Sequence, residues 1–234
     1  MNNLINTGIF GILISLIAYE IGIYINKKTN MSIFNPLLIA IVLIILFLTS
    51  FHIKYESFNI GGDIISFFLY PATVALAVPL YKEFSLFKKN VVPIFTGILC
   101  GCIVGIVCVI VFSKFFKLSD ILIISLIPKS ITTPIGMALS KQLGGVPSIT
   151  VIAIIITGIL GSIVGPFLFK ILKIKDKVAF GVAMGTSSHA IGTAKTMEIG
   201  ETEGAMSGLA MAISGIITVF LAPALWKIVL IILK

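Results

Sequence analysis

The chain is dominated by apolar runs too long and too numerous for a soluble core. LLIAIVLIILFLTSF (37–51) and GILCGCIVGIVCVIVF (97–112), extended by their neighbours, approach the ~20 apolar residues a helix needs to cross a hydrocarbon core about 30 Å thick. The chain is 58% hydrophobic with a mean hydropathy of +1.18, and only 11% of its residues are charged, against roughly 25% in soluble domains. Such runs predict a polytopic membrane protein. Lipid offers no partner to backbone amides, so only helices or closed barrels span it, and uninterrupted runs of this length exclude a barrel. The expected fold is an all-α bundle in one integral membrane domain: two generic helices over 1–60, then a repeat-built core over 61–234.

Apolar segments are placed near 4–25, 36–53, 64–81, 91–113, 121–140, 149–172, 178–199 and 205–233, with connections too short for a separate soluble domain. The first segment has no basic residue before it and Lys27 and Lys28 after it, so it reads as a retained helix rather than a cleaved signal. The net charge of +8 comes from lysines alone, spread through the connections, which points to orientation and lipid headgroups and away from nucleic acid. Cys100, Cys102 and Cys108 share one apolar segment with no histidine near, which argues against a disulfide framework or a metal site. No nucleophile elbow, phosphate loop or dinucleotide fingerprint is present, so neither an enzyme nor a cofactor is expected.

Small residues recur at four-residue spacing at Gly97, Gly101 and Gly105, at Gly161 and Gly165, and at Gly204 and Gly208, the pattern of close helix contact in membranes. Thr73, Thr132 and Thr186 each precede a lysine (Lys82, Lys141, Lys195) by nine positions. TGIL at 96, TGIL at 157 and SGII at 214 follow. The two series predict internal repeats of the kind that build secondary transporters. If the basic clusters Lys82/Lys88/Lys89 and Lys170/Lys173/Lys175/Lys177 face the same side, one of the three segments between them does not cross. PKSITTPIG (128–136) marks that segment as re-entrant or discontinuous.

Two stretches carry the polar chemistry. In PKSITTPIG, Pro128 and Pro134 disfavour helix in the residues before them. Opened backbone at that depth must line a cavity or pack in protein, and a helix starting there suits an anion. Lys129, Ser130, Thr132, Thr133 and Pro134 are therefore candidate binding residues. In GTSSHAIGTAK (185–195), the candidates are Thr186, Ser187, Ser188, His189, Gly192, Thr193 and Lys195, with His189 and Glu198 as proton-coupling groups. Residues 130–134 and 186–193 are expected to be non-helical and to border a common cavity at mid-membrane. Thr73, in the proline-broken YPATVALAVPLYK (70–82), is a further candidate that would complete its wall, the alternative being a purely structural kink.

These stretches, together with ITGILGSIVGP (156–166) and EGAMSGLAMAISGI (203–216), resemble the LrgB/CidB family of bacterial membrane proteins over essentially the whole chain beyond the first two helices. The resemblance implies a multi-pass protein of the bacterial cytoplasmic membrane and two descriptions of function. One is an antiholin-like modulator of murein hydrolase activity and autolysis that works with a small LrgA/CidA-type membrane partner. The other is a carrier of small monocarboxylates such as pyruvate, glycolate or glycerate, since the chain is similar to the second part of the plastid glycolate/glycerate translocator. A pore regulator has no need of two helix breaks loaded with hydroxyls, a histidine and lysines. The expectation is therefore a proton-coupled carrier of a small organic anion, homo-oligomeric and working with that partner.

Overall fold

The computed structural model describes residues 6–29, 34–68, 71, 74–75 and 77–232, and these are helical with no strand among them. The chain divides into two compact units, Met1–Ala75 and Leu76–Lys234. Thr73 lies outside the described residues. Among the described residues, four helices are long and apolar enough to cross a membrane: Gly8–Thr29, Val91–Phe115, Pro147–Ile171 and Glu201–Leu230.

The first unit holds α1 (Gly8–Thr29), α2 (Pro36–Ser50) and α3 (Tyr55–Phe67). Asn35 starts α2, its Oδ1 accepting from the amides of Leu37 (2.9 Å) and Leu38 (3.3 Å), with Pro36 at the helix start where no amide is needed. Glycines let the helices touch: a Cβ on Gly11 would lie 2.9 Å from Gly61 Cα, and one on Gly22 would lie 3.0 Å from Pro36 Cα.

The second unit holds α4 (Ala77–Lys82), α5 (Phe84–Lys89), α6 (Val91–Phe115), α7 (Asp120–Leu126), α8 (Thr133–Leu143), α9 (Pro147–Ile171), α10 (Lys177–Ile199) and α11 (Glu201–Ile232). At about 1.5 Å per residue, the 25-residue α6 and α9 reach about 37 Å and span the bilayer. In contrast α7 and α8, with 7 and 11 residues, reach about 10 and 16 Å and span nothing. They form a hairpin that enters beside α9 and returns. Ser125 Oγ of α7 accepts from Val146 N at 2.7 Å, and Gly136 of α8 sits against Ile154 and Thr150 of α9. The single non-crossing segment read between the lysine clusters is this hairpin.

The 23-residue α10 is long enough to cross but does not. At His189 the backbone takes φ 42° and ψ −134°, which breaks the helix into a first arm (177–188) and a second arm (190–199). Along the first arm, Gly181 meets Glu203 and Gly185 meets Ser207, so this arm runs parallel to α11. Along the second, Thr193 Oγ1 lies 2.9 Å from Ser207 Oγ while Met197 packs on Gly204, so this arm runs antiparallel to it. Both ends of α10 thus lie on the lysine-rich face. There Lys82 Nζ donates to Glu201 at 2.8 Å and Thr202 Oγ1 to Glu83 at 2.8 Å, tying the end of α4 to the start of α11.

The unit is therefore hairpin and span, then hairpin and span, with the hairpins entering from opposite faces. Two apolar clusters hold them. Ile123, Ile127, Ile131 and Leu139 of the first hairpin pack on Ile106 and Ile110 of α6 and on Trp226 of α11. Val182 of the second packs on the other halves of the same helices, at Ile98, Met206 and Ala210. The structure also resets the repeat. A Cβ on Gly136 would lie 3.3 Å from Pro128 O and one on Gly192 2.8 Å from Met184 O, in each case a carbonyl eight residues back, about 12 Å away in a continuous helix. Matching 136 with 192 is a step of 56, close to the 57 between TGIL and SGII. The threonine–lysine spacing had given 54.

Candidate functional site

Each hairpin tip is built differently. In the first, residues 127–132 are non-helical, with Pro128 fully buried. Thr132 is the N-cap of α8, its carbonyl accepting from Gly136 N at 2.9 Å and its hydroxyl making no cap bond. The opening thus lies earlier than expected, because a proline in the first turn of a helix is tolerated, and Thr133 and Pro134 begin α8 instead of preceding it. In the second tip the departure is one residue, His189. The expectation that 186–193 is non-helical is corrected: these glycines and hydroxyls stay in helix. Gly185 and Gly192 serve close approach to carbonyls at Ser207 and Met184, and Thr186 Oγ1 donates back to Val182 O at 2.7 Å.

His189 is held where a non-glycine residue is strained by about 1–3 kcal/mol. Its ring is 3% exposed, Nε2 donates to Ile154 O at 2.9 Å, and its own carbonyl accepts from Thr193 Oγ1 at 2.9 Å. The ring lies on Gly158, where a Cβ would come within 2.8 Å of it. A bulkier residue at 158 would displace the tip.

The tips meet at a cavity of about 1010 Å³. Lys129 and Ser130 of the first tip face Thr186, Ser187 and Ser188 of the second, and Thr157 joins them from α9. Lys129 Nζ donates to Ser130 Oγ at 3.1 Å, and Ser187 Oγ lies 3.0 Å from Ser188 Oγ. Among the described residues no carboxylate pairs with Lys129. From this polar end the cavity runs between α6, α9 and the first arm of α10 to Asn90 and Asp176 on the lysine-rich face. Its walls there are glycines and aliphatic residues, Gly97, Gly101, Val104 and Leu160 among them. A negatively charged group at the polar end would meet one ammonium and several hydroxyls.

Of the residues singled out in the sequence, Lys129, Ser130, Thr186, Ser187 and Ser188 come together here. Thr132, Thr133 and Pro134 stand at the start of α8 and do not line the cavity. Gly192 and Thr193 are buried between the arms and α11. Lys195 donates to Glu198 at 2.8 Å, with side chains 40% and 63% exposed, on the outer part of the second arm. Thr157, Gly97, Gly101, Gly161 and Gly165 line the cavity without having been assigned to it. Their spacing signalled helix contact, and no sequence pattern separates a glycine under a neighbour from one facing a void.

The model of the LrgB-like family matches residues 15–228. The chain is 38% identical over 221 residues to the antiholin-like protein LrgB of Bacillus subtilis, covering 94% of this chain and 96% of that protein. It is 39% identical over 218 residues to the antiholin-like protein LrgB of Bacillus mycoides, covering 93% and 95%. It is also 39% identical over 212 residues to YxaC of Bacillus subtilis, a protein with no described function, covering 91% and 92%. No solved structure matches the chain. With crossing helices, two polar re-entrant hairpins and a family match along nearly its whole length, this multi-pass membrane protein belongs to the LrgB-like family.

Proposed function

We propose that the protein is a carrier of small monocarboxylates, of the size of pyruvate, glycolate or glycerate, in the bacterial cytoplasmic membrane. The observation that carries this reading is Lys129, paired with no carboxylate among the described residues, at the meeting of two re-entrant tips and on the wall of a cavity that extends to the lysine-rich face. Re-entrant or broken helices with tips near mid-membrane, arranged as inverted repeats, are how many carriers present backbone amides and polar side chains to an anion. Lys129 supplies charge; Ser130, Ser187 and Ser188 donate hydrogen bonds; the glycine-lined walls leave room for a short carbon chain. His189 is the proposed proton-coupling group, because it is a titratable side chain at the tip itself, whereas Glu198 lies outside, paired with Lys195. The carrier performs no chemistry on its substrate and works as a homo-oligomer with an LrgA/CidA-type partner.

The test is uptake of labelled pyruvate or glycolate by proteoliposomes, with and without that partner. Saturable uptake that falls with Lys129→Gln supports the reading; absence of uptake in both preparations, by protein that remains folded, defeats it. A second reading is favoured by the names of the relatives: an antiholin-like regulator of murein hydrolase activity with no transported substrate. In that case Lys129→Gln leaves control of autolysis intact in cells.

A further inference from the structure

A second pocket of about 250 Å³ opens on the lysine-rich face where α9 ends and both ends of α10 come together, sharing Asp176 with the main cavity. Its depth is that of lipid headgroups, since it lies at the end of a span of 25 residues. The inner wall is apolar: the rings of Phe169 and Phe180 meet edge to face at 4.8 Å, flanked by Pro166 and Ile199. Lys170, Lys175 and Lys177 stand at the rim, all exposed. Set among them is Glu203, 7% exposed, whose Oε2 has no hydrogen-bond partner. None of the lysines comes within ion-pair distance of it among the described residues. The proposed transport mechanism makes no use of this carboxylate.

An unpaired buried carboxylate is costly, and the first turn of α11, where Glu203 lies, offsets only part of that cost. A bare cation would satisfy Glu203 but be repelled by three lysines, while Asp176, the other carboxylate of the pocket, already accepts from Ala179 N at the start of α10. A simple anion would suit the lysines and leave Glu203 worse off. A ligand with a phosphodiester at one end and an ammonium at the other satisfies both, with its methylene carbons against the aromatic wall. We infer that this pocket binds a phosphoethanolamine group, presented as the headgroup of a phosphatidylethanolamine lipid, with the phosphate among Lys170, Lys175 and Lys177 and the ammonium at Glu203. The inference is independent of what the main cavity carries.

The experiment is native mass spectrometry of the purified full chain with phosphatidylethanolamine, phosphatidylglycerol and phosphatidylcholine of identical acyl chains. Phosphatidylethanolamine should be retained about tenfold better than phosphatidylcholine, whose trimethylated nitrogen donates no hydrogen bond, and better than phosphatidylglycerol, which has no cation. Glu203→Gln should abolish that preference while leaving residual binding of all three, and the double substitution Lys170→Gln, Lys175→Gln should weaken all three. Ile199→Trp, which fills the pocket without touching a charge, should block retention and serves as the second variant should Glu203→Gln fail to fold. Equal retention of the three lipids, a preference surviving Glu203→Gln, or binding unaffected by Ile199→Trp would overturn the inference. Displacement of bound lipid by free phosphoethanolamine would assign the same chemistry to a soluble ligand, and its failure to displace assigns it to the lipid.

Discussion

A lysine near the centre of a bilayer costs about 2.5–3.5 kcal/mol on insertion scales, and Lys129 bears this cost with only Ser130, among the described residues, as a bonded side chain. A residue kept for stability would be paired; one kept for an anion need not be. Lys129→Met should therefore separate the two quantities. Substrate binding falls by about tenfold to a hundredfold, as loss of a charge-assisted hydrogen bond of about 1.5–3 kcal/mol requires. The thermal midpoint of the substrate-free protein holds or rises. A lowered midpoint with unchanged binding would make Lys129 structural. His189 is the complementary case. His189→Gln keeps a donor for Ile154 O but cannot titrate. Proteoliposomes carrying it are expected to exchange substrate across the membrane yet fail to accumulate it under an imposed pH gradient. Accumulation equal to the parent's would remove His189 from proton coupling and leave it holding the tip.

At the scale of elements, the first arm of α10 is wedged between helices by glycines of three different segments. Gly101 of α6 takes the methyl of Thr186, Gly161 and Gly165 of α9 take Ser188 and Met184, and the arm's own Gly185 meets the Ser207 carbonyl. Gly161→Ala would drive its Cβ into Ser188, and overpacking of this kind costs about 1–3 kcal/mol. Gly105→Ala meets nothing within 4 Å and gains helix propensity of about 1 kcal/mol. Thermal unfolding should therefore order the proteins Gly105→Ala, parent, Gly161→Ala from most to least stable; the reverse order would mean that the arm does not sit where described. Gly101, Gly161 and Gly165 were legible in the sequence as contact points, and PKSITTPIG was legible as a break because two prolines act locally. The fold-back of α10 was not. The arm lengths resemble one long span, and the only local departure is a histidine at positive φ, whose ring is held by Gly158 and Ile154 of α9. The same reason explains why Thr133 and Thr193 were read as ligands: hydroxyls near a break are evident in sequence, but the side they face is decided by packing.

For the second unit as a whole, opposite entry of the two hairpins makes the lysine distribution self-consistent. Lys82, Lys88, Lys89, Lys170, Lys173, Lys175, Lys177 and Lys195 gather at one face, and Lys114, Lys117, Lys141 and Lys227 remain for the other, so the positive-inside rule predicts that the lysine-rich face, to which the cavity extends, is the cytoplasmic one. The first hairpin, packed on α6 and α11 through Ile123, Ile127 and Trp226, lies between the polar end of the cavity and the opposite face. Inverted repeats allow the complementary state, in which the first hairpin yields and the second closes. The arrangement is testable without a substrate. With Cys100, Cys102 and Cys108 replaced by alanine, single cysteines at Lys177, Gly200 and Lys117 report the path of the chain to a membrane-impermeant maleimide. Lys177→Cys and Gly200→Cys should label from the cytoplasmic face only, because α10 leaves and returns to that face, and Lys117→Cys from the opposite face only. Ser187→Cys should label from the cytoplasmic face, more slowly than Lys177→Cys, through the cavity. Labelling of positions 177 and 200 from opposite faces would mean that α10 crosses the membrane, and the inverted repeat, with the meeting of its tips at Lys129 and Ser188, would fall with it.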